Sequence, residues 1–253
     1  GFWESRGVAV ANAFAGRELV NYNANNTSFS LGGTWLLNDQ SSLFARYSDG
    51  GRAIADRLLQ IGGTLNTDGS LTSTTDGYDN VSQLEIGYKF KRGNYAFYAT
   101  AFDTTTEETN AEITSGLTFV REYEAKGLEL EGHWRSDNGF GISGNLTWTD
   151  AEISQDRNNA AVVGNTPRRQ ADLIYTITPS WRNDRLSVGA TLQGSTSYFV
   201  GDVNSLKQDG YTLVHLFGNY QLTGALRVSL GVNDATDEFV VTEVEEGAAA
   251  AGS

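Results

Sequence analysis

The chain has 253 residues, of which 39% are hydrophobic, and it carries a net charge of −13 with no cysteine. The length allows one large domain or two small ones, and the absence of cysteine excludes disulfides and thiolate metal sites. Nucleic acid is not expected as a partner, because phosphate backbones repel an acidic chain. No run of 18 apolar residues is present, which excludes a transmembrane helix. We expect a piece of a longer chain, because the sequence opens in mid-pattern without a Met or a signal peptide.

Apolar and polar residues alternate along most of the chain, and the spacing typical of helices is nearly absent. The alternation predicts about eleven antiparallel strands, mostly nine to fourteen residues long. Soluble strands typically have about five or six residues, whereas a tilted strand needs about nine to eleven to cross a bilayer. In chain order, the predicted strands cover residues 27–37, 42–49, 81–90, 94–103, 113–123, 125–136, 139–150, 168–181, 185–199, 210–222 and 225–234.

The predicted connections are alternately short and long. Tight turns are expected at 38–41, 91–94, 136–139, 182–184 and 223–224, and longer links at 50–80, 104–112, 151–167, 199–209 and from 235 onward. An up-and-down sheet with one plain end and one elaborated end has this layout. Outer-membrane barrels show the same asymmetry, with short periplasmic turns and long extracellular loops.

Each predicted strand has one apolar face and one face of small, polar or charged residues. Leu84, Ile86 and Tyr88, for example, alternate with Glu85 and Lys89. A barrel with a water-filled lumen explains charged residues in the middle of a strand. A soluble antiparallel sheet that covers a core with one face gives the same alternation and remains the alternative at this point.

Six segments resemble, in the same order, motifs of TonB-dependent outer-membrane receptors. They are SLFARYSDGGRA, VSQLEIGYKF with NYAFYATAFD, AKGLELEGHWR, LTWTDAEI, NTPRRQADLIYTI, and GYTLVHLFGNYQL with LRVSLGVNDATDEFV. Together they extend from about residue 27 to residue 240. Each motif is weak on its own, but their common order along the chain is a specific signal.

The resemblance implies an all-β fold, an antiparallel up-and-down transmembrane β-barrel of 22 strands, of which this chain supplies about eleven. Residues 1–240 are expected to form a partial barrel domain and residues 241–253 a tail without strands. The resemblance also implies a plug domain, the first half of the barrel and a TonB box, which we do not recognise in this sequence. The expected partners are therefore outer-membrane lipid, these missing parts, the TonB complex and a small bulky ligand.

Arg46, Arg52 and Arg57 surround the start of the longest predicted loop. In proteins of the family, arginine residues of the lumen and loops contact anionic ligands such as ferric siderophores, so the resemblance makes these three residues candidate ligand contacts. The competing interpretation is structural, with the loop held by ion pairs to Asp49 and Asp56.

Glu129, Glu131, His133 and Arg135 alternate along the polar face of one predicted strand. The main interpretation is that they line a wet lumen, where they could also contact a passing ligand. A metal site needs more ligands than this strand offers. Nothing places a nucleophile beside His133 or His215, as an outer-membrane hydrolase would require. We therefore predict no catalytic residue, metal or cofactor.

The expected function is active, TonB-energised uptake of a scarce ligand, either a ferric siderophore or an oligosaccharide. Two alternatives remain open from the sequence. One is a passive outer-membrane channel or adhesin-like barrel, and the other is a soluble or fibre-forming β-sheet protein.

Overall fold

The computed structural model describes residues 23, 25–54, 66, 68–71, 77–111 and 118–241, and these form twelve strands and one short 3-10 turn at Ala160–Val162. The strands are β1 (Phe29–Asn38), β2 (Ser41–Ala53), β3 (Tyr78–Arg92), β4 (Tyr95–Ala111), β5 (Thr118–Arg135), β6 (Phe140–Asp156), β7 (Leu173–Arg182), β8 (Leu186–Ser195), β9 (Tyr198–Phe199), β10 (Lys207–Gln208), β11 (Tyr211–Gln221) and β12 (Arg227–Val232). The all-β class expected from the alternation is therefore confirmed.

Ten of these strands form a single antiparallel sheet in the order β1-β2-β3-β4-β5-β6-β7-β8-β11-β12. The short strands β9 and β10 pair only with each other, within the connection between β8 and β11. Within the large sheet, neighbouring strands follow one another in chain order, which is the up-and-down topology that the sequence predicts.

The connections at one end of the large sheet have two to five residues, whereas those at the other end have six to 24. We call these the turn end and the loop end. Two turns at the turn end use glycine in the left-handed region, Gly93 with φ +53° and Gly139 with φ +94°, where a side chain would be strained. The predicted alternation of short and long connections is confirmed.

The described parts of the two predicted strands 113–123 and 125–136 form one strand of 18 residues, β5, from Thr118 to Arg135. Its pairing with β4 runs without interruption from Tyr95↔Trp134 to Ala111↔Thr118. The predicted link 104–112 is therefore strand as far as Ala111, and residues 112–117 lie outside the described residues. Tyr123, Glu124 and Ala125 interrupt the apolar alternation of the sequence, but the backbone pairing with β4 continues through them.

Only six hydrophobic residues are buried in the described part of the chain: Ile54, Ala96, Ile153, Val162, Ala171 and Val200. All but Ala96 lie near the loop end. The apolar face of the sheet is open, with Leu31 75% and Leu230 72% exposed. A soluble sheet that covers its own core would bury these residues, so that alternative does not fit the described structure.

Candidate functional site

The register of the sheet sorts its residues into two uniform faces. One row across six neighbouring strands reads Leu43, Tyr88, Ala99, Leu130, Leu146 and Tyr175. The adjacent row, on the other face, reads Ser42, Lys89, Tyr98, Glu131, Asn145 and Thr176. A slip of one residue in any strand would mix the two sets, so the register itself separates an apolar face from a polar face.

The apolar face is a band with a clear limit on each side. On the loop side, a row of charges replaces the apolar residues, with Lys126 paired to Asp103 and Asp150 and its Nζ 3.8 Å from Oδ2 of Asp103. On the turn side, the rings of Tyr95 and Trp134 stack with centroids 6.2 Å apart. Along β5 the band spans roughly 20 Å at about 3.3 Å per residue, close to the roughly 25 Å apolar band of outer-membrane barrels.

The structure brings Glu129, Glu131, His133 and Arg135 into one exposed column on the polar face of β5. A concave region of about 600 Å³ covers most of this column. Its polar lining residues are Tyr98, Thr100, Glu129, Glu131, His133, Ser143, Asn145, Thr147, Thr176 and Thr178. Hydroxyl, amide and carboxylate groups dominate this surface, so it can hydrogen-bond to hydroxyl-rich or cationic groups. Arg135 lies outside the concave region.

Arg46 and Arg52 also lie on the polar face, where each forms an ion pair with β3. Nε of Arg46 is 2.8 Å from Oε2 of Glu85, and Nη2 of Arg52 is 2.6 Å from Oδ2 of Asp79. The register places these partners directly opposite each arginine. Both arginine side chains remain about half exposed, at 50% and 54%, and each is therefore open to a further contact.

The ion pairs of Arg46 and Arg52 with β3 are not among those expected from sequence proximity. Asp49 is opposite Ser82 and lies on the other face from Arg46, while Asp56 and the third candidate arginine, Arg57, lie outside the described residues. Cross-strand neighbours come from the register rather than from distance along the chain. Asp79 is almost completely buried and also accepts a hydrogen bond from the backbone N–H of Thr109 at 2.9 Å.

A buried ionic cluster at the loop end was not predicted from the sequence. Arg121, which is 8% exposed, donates from Nε to Oδ2 of Asp156 at 2.5 Å and from Nη1 to Asp202. Asp202 Oδ1 accepts the backbone N–H of Arg168 at 2.9 Å. Residues 157–172 and residues 196–210 are thereby fastened to β5 and β6. Arg121 and Asp202 are 81 positions apart, so no local spacing could have revealed the pair.

The cluster lies beyond the apolar band and shifts the ionisation of its members. Burial favours the neutral form of Asp156, but hydrogen bonds from Arg121 and two backbone N–H groups hold the pKa of Asp156 below its usual value. Burial opposes the charge of Arg121 too, yet the two carboxylates raise its pKa. Nearby, burial and the charge of Glu108 raise the pKa of Tyr123 to about 12. Asp156 and Arg121 are therefore both charged near neutral pH.

The two histidines do not form a metal centre with the residues around them. Nδ1 of His215 accepts the backbone N–H of Asp234 at 3.2 Å, which ties the segment after β12 to β11. Within the described ranges, no three side chains of His, Asp or Glu lie close enough together to hold a metal ion. The described residues likewise contain no helix long and apolar enough to cross a membrane.

An up-and-down antiparallel sheet with one apolar face, one polar face and short turns at one end has the organisation of an outer-membrane β-barrel wall. Residues 4–235 match the family model described as TonB dependent receptor-like, beta-barrel. The chain belongs to this family, and it is a bacterial outer-membrane protein. The apolar face is therefore the lipid face, the polar face is the luminal face, and the turn end and loop end are periplasmic and extracellular.

Solved structures of similar fold are receptors and transporters of the outer membrane. The unliganded ferric citrate transporter FecA aligns with a TM-score of 0.70 and 15% identity, over 90% of this chain and 36% of its own. BauA, the ferric preacinetobactin receptor of Acinetobacter baumannii, aligns with 0.68 and 16%, over 83% and 32%. FyuA, the ferric yersiniabactin uptake receptor of Yersinia pestis, aligns with 0.65 and 16%, over 83% and 32%.

These TM-scores establish a common fold, and the chain spans about a third of the length of the three receptors. None of the curated proteins compared with the sequence matches it.

Proposed function

We propose that the protein containing this chain takes up a scarce, bulky ligand across the outer membrane by active, TonB-energised transport. In this proposal the chain supplies part of the barrel wall and several extracellular loops. The supporting observation is the continuous polar face across a sheet of ten strands. At about 4.8 Å between strands this wall is roughly 45 Å wide, which suits a lumen far wider than that of an eight-stranded barrel.

The first ligand class we propose is a ferric siderophore. The three similar structures are named for ferric citrate, ferric preacinetobactin and ferric yersiniabactin, and such chelates commonly carry anionic groups. The half-exposed guanidinium groups of Arg46 and Arg52 are suited to anionic oxygens. Arg57 is included in this proposal from its position in the sequence alone.

The second ligand class is an oligosaccharide, which the concave luminal region would favour. Its hydroxyl, amide and carboxylate side chains match the hydrogen-bonding groups of a sugar chain. Under either class, Glu129, Glu131, His133 and Arg135 would contact the ligand along the wall. We also propose the expected domain limits, with residues 1–240 as barrel wall and 241–253 as a tail. A plug domain, the rest of the barrel and the TonB complex complete the transporter.

The test is uptake by the full-length protein in a Gram-negative strain that lacks its own receptors for the probes. Radioactive iron is offered as citrate, hydroxamate and catecholate chelates, and maltodextrins of increasing length are offered separately. We expect saturable uptake of one probe class, lost in the same strain without TonB. Uptake that persists without TonB would support a passive channel and contradict the proposal.

The luminal arginines provide the residue-level test. Arg46→Gln and Arg52→Gln should weaken binding of the transported ferric chelate several-fold and leave the amount of protein in the outer membrane unchanged. Arg185→Gln at the periplasmic turn end is the matched control. Equal binding by all four proteins would exclude the two luminal arginines from the ligand site.

A further inference from the structure

The lipid face has a dent where two glycines lie side by side on neighbouring strands. Gly132 of β5 pairs directly with Gly144 of β6, and the flanking positions in the same row are Phe97 and Ile177. A groove of about 470 Å³ surrounds this pair, within the roughly 300–1,000 Å³ typical of small-ligand pockets. On the lipid side its walls are Phe97, Leu130, Trp134, Ile142, Leu146 and Ile177.

The fold does not require glycine at position 132. A Cβ there would lie 3.4 Å from the carbonyl oxygen of Ala96 and 3.9 Å from Cδ2 of Phe97, which are ordinary contacts. At Gly144, by contrast, a Cβ would lie only 2.6 Å from the carbonyl oxygen of Thr176. Gly132 does not have a positive φ, and glycine inside a strand is destabilising relative to alanine. Local backbone geometry therefore does not explain why residue 132 is a glycine.

Toward the periplasmic rim, the side chains next to the groove change from apolar to aromatic and then charged. The stacked rings of Tyr95 and Trp134 stand one row below Gly132. Arg92 is paired with Tyr95 and is exposed on the same face. The neighbouring turn presents Asp137, whose Oδ1 accepts a hydrogen bond from Nδ2 of Asn94 at 3.3 Å. A cation and an anion thus lie on the strand end and the turn that adjoin the groove residues Tyr95 and Trp134.

We propose that this groove binds one phospholipid of the periplasmic leaflet. An acyl chain lies in the dent at Gly132 and Gly144, and the zwitterionic headgroup meets the rim, with its phosphate at Arg92 and its ammonium near Asp137. The groove is continuous with the lipid face, so hydrocarbon is the medium that reaches it. Aromatic side chains at the headgroup level are typical of membrane interfaces. The proposal depends on the outer-membrane location of the chain and is independent of the transported ligand.

The experiment uses the full-length protein, purified in detergent, stripped of lipid and titrated with phosphatidylethanolamine under native mass spectrometry. The wild-type protein should retain one phosphatidylethanolamine more tightly than any other. Gly132→Leu fills the dent and should weaken this site at least tenfold, and Arg92→Gln should weaken it about threefold. Gly33→Leu is the matched control, since Gly33 is also on the lipid face and a Cβ there meets nothing within 4 Å. Its binding should stay within twofold of wild type.

A second measurement does not require Gly132→Leu to fold normally. Substoichiometric phosphatidylethanolamine with brominated acyl chains should quench tryptophan fluorescence in the wild-type protein, and the quenching should disappear in Trp134→Phe. Equal binding by Gly132→Leu and wild type, or quenching unaffected by Trp134→Phe, would overturn the proposal. Preferential retention of lipid A, or a cross-linked protein segment in the groove, would overturn it as well by assigning a different occupant.

Discussion

Replacing Arg121 by Met should release the extracellular loops from the barrel wall. The side chains of Asp156 and Asp202 are 0% and 10% exposed, and both are paired with Arg121, which is itself 8% exposed. Methionine keeps much of the length of the arginine but none of its charge. Two carboxylates would then remain buried beside a weaker cation, Arg168, whose Nε is 3.9 Å from Oδ2 of Asp202.

The expected free-energy cost follows from the burial of the ion pairs that Arg121 makes. Removing one partner of a buried ion pair costs about 3–5 kcal/mol, because an uncompensated charge stays behind. The loops can avoid this cost by opening, which exposes Asp202 to water. Each 1.36 kcal/mol is a factor of about ten in an equilibrium constant, so loop opening should become more frequent by at least about 100-fold.

Hydrogen exchange at two backbone amides reports this opening directly. The N–H of Arg168 donates to Asp202 and the N–H of Thr166 donates to Oδ1 of Asn204, both at 2.9 Å. Their hydrogen exchange in Arg121→Met should accelerate by at least about 100-fold. Lys126→Met is the control, because its 3.8 Å pair with Asp103 is exposed and such pairs contribute about 0–1 kcal/mol.

The triple variant Arg121→Met, Asp156→Asn, Asp202→Asn separates charge from packing. With no carboxylate left to bury, exchange should return toward the wild-type rate. If Arg121→Met exchanges like the wild type, the cluster does not hold the loops, and if the triple variant is as fast as the single one, the missing charge is not the cause.

Three further outcomes are expected. Because the pKa of Asp156 lies below its usual value, its stabilisation is complete above about pH 4 and is lost as the pH falls through the lowered value. Loop opening measured by exchange should therefore be constant from about pH 7 to 5 and rise below about 4; a rise already at pH 6 would contradict this. Gly127→Ala should lower the free energy of unfolding by about 1–3 kcal/mol, since its Cβ would collide with a phenylalanine ring of β4 and a carbonyl of β6. Gly231→Ala, where a Cβ meets nothing within 4 Å, should not lower it, as denaturant unfolding can check. Leu130→Arg on the lipid face should cost about 2–4 kcal/mol of folding free energy in a bilayer, whereas Glu131→Arg on the luminal face should cost little; equal effects would reverse the assignment of faces.

Much of the architecture could be read from local patterns, because a strand at a bilayer must alternate lipid-facing and water-facing residues. Leu84, Ile86 and Tyr88 were assigned to the apolar face from their spacing alone, and the register confirms it. The turns at Gly93 and Gly139 were also visible as short polar breaks. The sequence pattern was misleading at two places, the break at Glu124 within β5 and the link at 104–112, where β4 continues to Ala111. In these stretches the strands are held by backbone hydrogen bonds to their neighbours, and such bonds produce no periodic pattern in the sequence.

In the candidate site too, some features could be predicted from the sequence and others appear only in the structure. The column of Glu129, Glu131, His133 and Arg135 was expected from alternation within one strand, and the structure places all four on one face. Their role as ligand contacts stays a prediction. The sequence did not indicate Glu85 and Asp79 as partners of Arg46 and Arg52, because both come from the next strand of the sheet. Asp56 and Arg57 lie outside the described residues.

The sequence by itself determined the β class, the two faces, the alternation of short and long connections and the resemblance to the receptor family, since each follows from residue order over about ten positions. Only the tertiary structure decided the joining of Arg121 to Asp202, the pairing of Gly132 with Gly144 and the partners of the luminal arginines. These contacts join residues that are close in space through strand register and loop folding, and register is a property of the whole sheet rather than of any one segment.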